Sequence, residues 1–172
     1  MDVFEAVRTV LAVRAYQDKP IPADLKQRIL ESAWLSASSM NKQPWHFIVV
    51  EGRAMLQRLG SIASGGPYIA DSAMAVVVAI EKESPFGVSD GSRAIQSMVL
   101  PAWAEGVGSN WVGYLHYGGM DDLNAVLGIP DTHAVLSVVP FGYPLTAGGK
   151  GKKRRKPFGE VIHHGQFGNP HP

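Results

Sequence analysis

The chain has 172 residues, of which 45% are apolar and 18% charged, and its formal charge is +1. That balance excludes overall disorder and supplies enough apolar material for one compact core. Cysteine is absent, so disulfides, thiolate metal sites and a cysteine nucleophile are excluded as well. The first ten residues alternate charge and apolarity, and the longest apolar run, Ala73 to Ile80, is too short to cross a bilayer. A cytoplasmic protein with a single domain over residues 1–172 is the expectation.

The predicted elements alternate helix and strand. Asp2 to about Leu11 reads as a helix with Phe4, Val7 and Leu11 on one face. Pro20 and Pro22 interrupt the chain. A second helix then runs from Ala23 to about Leu35, with Leu25, Ile29, Ala33 and Trp34 at the helical period. Phe47 to Val50 reads as a buried strand and Arg53 to about Leu59 as a short helix, followed by the turn Ser64-Gly65-Gly66-Pro67. Met74 to Ile80 is apolar on both faces and therefore fits a central strand. Glu81 to Val88 reads as a loop.

Asp90 to Glu105 is the long middle helix, capped by Ser89 or Asp90, with Pro101 late in it. Asn110 to Leu115 reads as a strand. Asp121 to Leu127 is a helix ended by Gly128, and Ala134 to Phe141 is a further strand. Such alternation indicates a layered α/β or α+β domain. The segment from residue 146 to 172 is basic and extended, yet retains Phe158, Val161, Ile162 and Phe167. A tail of that kind packs on another subunit more readily than on itself.

No dinucleotide glycine motif, phosphate-loop lysine, nucleophile elbow or paired-carboxylate pattern is present. None of the six histidines has a spacing that marks a metal site, and no metal is expected. The informative stretch is Ser38-Ser39-Met40-Asn41-Lys42-Gln43-Pro44-Trp45, where small polar side chains precede an apolar run. Such groups at an element junction can direct hydrogen bonds at a ligand. Ser38 and Ser39 also suit a helix end, and Trp45 suits the core as well as a ligand face. A cationic run, Lys150, Lys152, Lys153, Arg154, Arg155 and Lys156, suits phosphate contact or a solvated tail. It lacks the interleaved aromatics that stack bases, so nucleic-acid binding is the least favoured reading. An enzyme without its own nucleophile, metal or acid–base pair borrows reactivity from a cofactor.

Several segments agree, in order, with one family. Ala37 to Phe47 stands where that family has its helix-to-strand flavin loop. Asp90-Gly91-Ser92-Arg93-Ala94-Ile95-Gln96-Ser97-Met98 resembles a central helix. Glu105 to Trp111, Leu127-Gly128-Ile129-Pro130, Phe141-Gly142-Tyr143-Pro144 and Arg155 to His163 resemble the blocks that follow. Over nearly its full length the chain resembles the FMN-dependent nitroreductase family. The resemblance implies an α+β, three-layer fold, with a central, mostly antiparallel sheet flanked by helices. It further implies an intertwined homodimer with FMN sites lined by both chains. The implied reaction is ping-pong, from NAD(P)H through FMN to a nitroaromatic, quinone or similar acceptor, with no membrane partner.

Carried over residue by residue, the resemblance places Ser38, Ser39 and Asn41 near the flavin and Gln43 in support of their loop. Arg14 would lie near the ribityl or pyrimidine side, and Arg155 with Lys153 near the phosphate. The region from Gly60 to Tyr68 and that near Phe86 would set substrate preference. No catalytic side chain is implied. The N-terminal block departs from the family pattern. Val10 and Ala12 stand where polar or basic residues usually contact phosphate and ribityl oxygens. A non-catalytic flavin or nucleotide binder on the same scaffold is therefore the alternative reading.

Overall fold

The computed structural model describes residues 1–146 and 153–171. Four strands form one antiparallel sheet in the order β1-β2-β4-β3: β1 (Trp45–Val50), β2 (Met74–Glu81), β3 (Gly108–Ser109) and β4 (His133–Gly142). β2 lies between β1 and β4. Its side chains are buried from Met74 to Ile80, which is why this run has no polar face.

Helices cover both faces. On one side lie α2 (Ala23–Trp34) and α4 (Gly87–Ala104), which enclose Trp45, Met74, Val76, Val78, Ile80, Leu136 and Phe141. On the other lie α3 (Arg53–Ile62) and α5 (Met120–Leu127), packed on Val50, Ala75, Val77, Ala79, Val135 and Val138. The two lists alternate along β2, as strand geometry requires. A bulge between Val78 and Ala79, opposite Val135 to Ser137, resets the alternation on β4, so that Val135 and Val138 share a face. The three-layer α+β arrangement with an antiparallel sheet is the expected one.

α1 (Val3–Thr9) is shorter than its apolar pattern suggests. Asp2 caps it, accepting from Glu5 N at 2.7 Å. Beyond Thr9 the chain leaves the helix to pair with β3: Ala12 bridges Ser109, and Val13 N donates to Ser109 O at 2.9 Å. This tertiary pairing overrides the helical period through Leu11. Phe4, Val7 and Leu11 are exposed, as is Trp34 at the end of α2.

α4 begins three residues earlier than expected, with Phe86 at its N-cap, and the predicted caps Ser89 and Asp90 lie within its first turn. The Asn110–Leu115 strand does not form as a continuous element. Val112 bridges Val138, but Gly113 and Leu115 take φ of 74° and 47°, which turns the chain out of the sheet. Trp111, with its indole N–H on Gly113 O, is exposed. Among its described residues the tail carries one short helix, α6 (Phe158–Val161). Among the described residues, no helix is long and apolar enough to cross a membrane.

Candidate functional site

The stretch from Ser38 to Gln43 forms a tight, interlocked loop between α2 and β1. Residues Ser39–Asn41 make a single 3₁₀ turn. Met40, Asn41 and Gln43 have φ of 52°, 54° and 52°, three of the four left-handed non-glycine residues in the described chain. Each such residue costs about 1–3 kcal/mol and persists only where its surroundings over-determine it. Here the surroundings are visible. Ser38 Oγ accepts from Gln43 N at 3.0 Å, closing the loop across its base. Gln43 Nε2 donates to Asn41 O at 3.2 Å and to Asn41 Oδ1 at 3.3 Å. Pro44 and Trp45 follow, both buried, with Trp45 in the core beside Phe47.

The anchor beneath this loop is a residue that sequence reading placed at a helix cap. Asp90, fully buried in the first turn of α4, accepts from Ser39 N at 2.9 Å through Oδ2. Its Oδ1 accepts from Ser39 Oγ at 3.1 Å and from Arg93 Nη1 at 2.9 Å. Charge-assisted bonds of this kind are about twice as strong as neutral ones. A carboxylate near a helix N-terminus is further favoured by the helix dipole. The Ser39 hydroxyl is thus committed to Asp90. The next residue, Gly91, lets α4 lie close to the sheet: a Cβ there would stand 2.7 Å from Leu136 Cδ2.

Positive groups collect elsewhere on the chain. Residues 12–17 form an extended strip between β3 and the end of β4. Leu145 N donates to Ala15 O, and Gln17 N to Tyr143 O. Arg14 is exposed on this strip. Tyr16 is buried beneath it and donates its hydroxyl to Val13 O at 2.8 Å. Burial pushes the Tyr16 phenol well above its ordinary pKa. Tyr68 adds to that rise and Arg14 opposes it.

The tail reaches α1, the helix that leads into this strip. Lys153 Nζ donates to Val7 O near the end of α1. Desolvation, and then the positive charge of Arg155, lower the Lys153 pKa. Arg155 is exposed, with Nη1 on Arg154 O at 2.8 Å. Lys150 and Lys152 lie outside the described residues.

The predicted site residues therefore fall into two groups. Ser38, Ser39, Asn41 and Gln43 share the loop held by α4. Arg14, Lys153 and Arg155 belong to the strip and tail beside α1. Val10 is half-buried and Ala12 exposed, and neither offers a polar side chain. The region from Gly60 to Tyr68 is not a free loop: its first three residues close α3, and Pro67–Asp71 forms a 3₁₀ turn.

This architecture can be compared with known proteins. A model of the nitroreductase family matches residues 8–83 and 69–143. The chain belongs to the nitroreductase family. A Methanothermobacter thermautotrophicus relative, provisionally named an NADH dehydrogenase/NAD(P)H nitroreductase, is 36% identical over 149 residues, covering 84% of this chain and 78% of its own. A Bacteroides thetaiotaomicron crystal structure with the same provisional name superposes with a TM-score of 0.87 at 25% identity, covering 96% of this chain and 98% of its own. The fold is shared as well by an FMN-dependent nitroreductase from Clostridium difficile, with a TM-score of 0.85 at 22% identity, covering 95% and 99%. Within this nitroreductase-family chain, Asp90 is the site residue that sequence reasoning missed. Its one visible signal was a carboxylate opening the helix whose Asp90-Gly91-Ser92-Arg93 start matched the family pattern.

Proposed function

We propose that this nitroreductase-family protein is an FMN-dependent NAD(P)H oxidoreductase working as a homodimer, with each flavin between the loop of one chain and the strip and tail of the other. The observation that carries this reading is the Ser38–Gln43 loop, which is left-handed at Met40, Asn41 and Gln43 and is tied to α4 by the bonds from Ser39 to Asp90. Strain of that kind clusters at ligand sites. The donor set fits a flat, anionic cofactor. Amide and hydroxyl groups on a rigid loop suit the ring, Arg14 suits the ribityl or pyrimidine side, and Lys153 and Arg155 suit the phosphate.

Bound there, FMN supplies a two-electron carrier between NAD(P)H and an acceptor such as a nitroaromatic or quinone. The chain's own contribution is placement. Asn41, exposed at the loop tip and braced by Gln43, presents an amide in one orientation. Arg14 would offset negative charge gathered near the ring's pyrimidine edge. No side chain of the loop is needed to relay a proton to the nicotinamide. One site for both partners gives a ping-pong order, in which the nucleotide leaves before the acceptor enters.

Two chains are favoured by the surface of one. Phe4, Val7, Trp34, Leu35, Phe158, Val161 and Phe167 are all exposed. Large exposed apolar side chains are candidates for burial against a second copy. Residues 146–172, as far as they are described, cover little of this apolar surface. The reading is tested by titrating FMN into the protein while its flavin fluorescence and its mass in solution are followed. A dimer that quenches one FMN per chain is expected, with weaker binding in Asn41→Ala. A monomer, or FMN left in free solution, would remove the proposal.

Val10 and Ala12 favour a second reading. With those polar contacts missing, the protein would hold a flavin without steady turnover. Acceptor-dependent NAD(P)H oxidation separates the two.

A further inference from the structure

The end of the sheet brings together three side chains that are distant in sequence. His46 is the second residue of β1, Glu81 the last of β2 and His133 the first of β4. Glu81 pairs directly with His133, while His46 pairs with Ala79, two residues back along β2. Strand alternation places all three on the face covered by α3 and α5. Each offers one ligand atom, and these atoms all lie within 4.8 Å of one another. The two imidazole rings stand edge to face with centroids 4.7 Å apart. Ala79 is small, and a groove lined by Ile48, Leu127, Ile129 and Pro130 opens beside the cluster.

His133 supplies a second, independent observation. Its Nε2 is buried and has no hydrogen-bond partner, whereas its Nδ1 lies 2.9 Å from Thr132 Oγ1. A ring that donates its Nδ1 proton to Thr132 leaves Nε2 as the nitrogen with a free lone pair. Metal-ligating histidines are oriented in this way, by an oxygen on the nitrogen that does not bind the metal. The backbone around the cluster is fixed in advance: Glu81 N donates to Pro44 O, and Lys82 N to Thr132 O, each at 3.0 Å.

We propose that His46, Glu81 and His133 form a binding site for one divalent transition metal of the Zn²⁺ class. Two imidazoles and one carboxylate suit Zn²⁺ and its borderline neighbours, whereas Mg²⁺ and Ca²⁺ require oxygen ligands throughout. Metal–ligand bonds of roughly 2.1 Å in a tetrahedron bring donors to about 3.4 Å apart. His46 and Glu81 are exposed side chains, and rotation about their own bonds closes that gap. Three protein ligands leave the fourth position to water on the groove side. The metal would clip β1, β2 and β4 together at the end of the sheet from which the Ser38–Gln43 loop departs.

The test uses the untagged, full-length protein stripped of metal. Co²⁺ is titrated while its visible d–d absorption is followed, and Zn²⁺ is titrated against a chromophoric chelator. One equivalent per chain is expected, with a Co²⁺ band of tetrahedral intensity. His46→Ala and His133→Ala should each weaken binding at least about 100-fold, and Thr132→Val about 10- to 100-fold. Changing His163, His164 and His171 together to Ala should leave binding intact. Zn²⁺ should raise the melting temperature of the parent protein but not of His46→Ala, whose exposed side chain is not needed for folding. Failure of the parent protein to bind Co²⁺, binding that persists in the His46→Ala/His133→Ala double variant, or binding lost with the tail histidines would overturn the proposal.

Discussion

Asp90 holds Ser39 twice, accepting from its backbone N–H at 2.9 Å and from its hydroxyl at 3.1 Å. Through this pair, a buried carboxylate on α4 fixes a loop that has left-handed residues at Met40, Asn41 and Gln43. The long helix and the candidate cofactor loop are therefore directly bonded to each other.

Removing that carboxylate should be costly. Asp90→Ala leaves the Ser39 N–H and the Arg93 guanidinium without their acceptor, at about 3 kcal/mol of folding stability. Asp90→Asn keeps the shape and one acceptor oxygen and should cost less. Urea unfolding gives the stability change. FMN binding by the surviving folded protein should weaken roughly tenfold as the loop relaxes.

Arg155→Ala should raise the FMN dissociation constant about 10- to 100-fold, the worth of one charge-assisted phosphate contact. Lys153→Ala should act in the same direction, together with loss of its bond to Val7 O. Fluorescence titration of each variant decides the matter, and an unchanged constant for Arg155→Ala would detach the tail from the phosphate.

Ala12 offers a gain rather than a loss. It is exposed on a strip whose backbone is already pinned to Ser109. Ala12→Ser should therefore fold normally and restore one neutral hydrogen bond to the cofactor. About 1 kcal/mol, or roughly a fivefold tighter FMN constant, is expected in the same titration.

Tyr16 sets an alkaline limit. Its folded pKa is raised by burial above the ordinary value near 10, so the folded state binds the phenolic proton more tightly than the unfolded chain does. This contribution is complete below about pH 10 and is lost as pH rises from there toward the folded value. Tyr16→Phe should lose about 1 kcal/mol near neutrality with the bond to Val13 O, and should show a flatter decline above pH 10. Denaturant midpoints across pH 8–11.5 would show both effects.

The layered fold was legible because its core elements are locally consistent. β2 is apolar on both faces and is central, and α2 and α4 carry their apolar stripes on the correct side. Boundaries failed where distant pairing decided them. Thr9 ends α1 because Ala12 and Val13 are claimed by Ser109, and the chain after Ser109 turns at Gly113. The polar loop was readable from Ser38 to Gln43, but its anchor was not, since nothing local separates a capping Asp90 from one buried against Ser39. His46, Glu81 and His133 were invisible for the same reason: three strands meet there, and no spacing along the chain records it.

In the proposed reaction, electrons pass from a pyridine nucleotide to an acceptor through FMN held by this chain. It is tested most directly by anaerobic titration of the FMN-loaded protein with NADH and NADPH, followed by a quinone or a nitroaromatic. The flavin's visible absorbance should be lost with one equivalent of at least one nucleotide and return when the acceptor is added. Absorbance unmoved by either nucleotide, or lost and not restored by either acceptor, would contradict it.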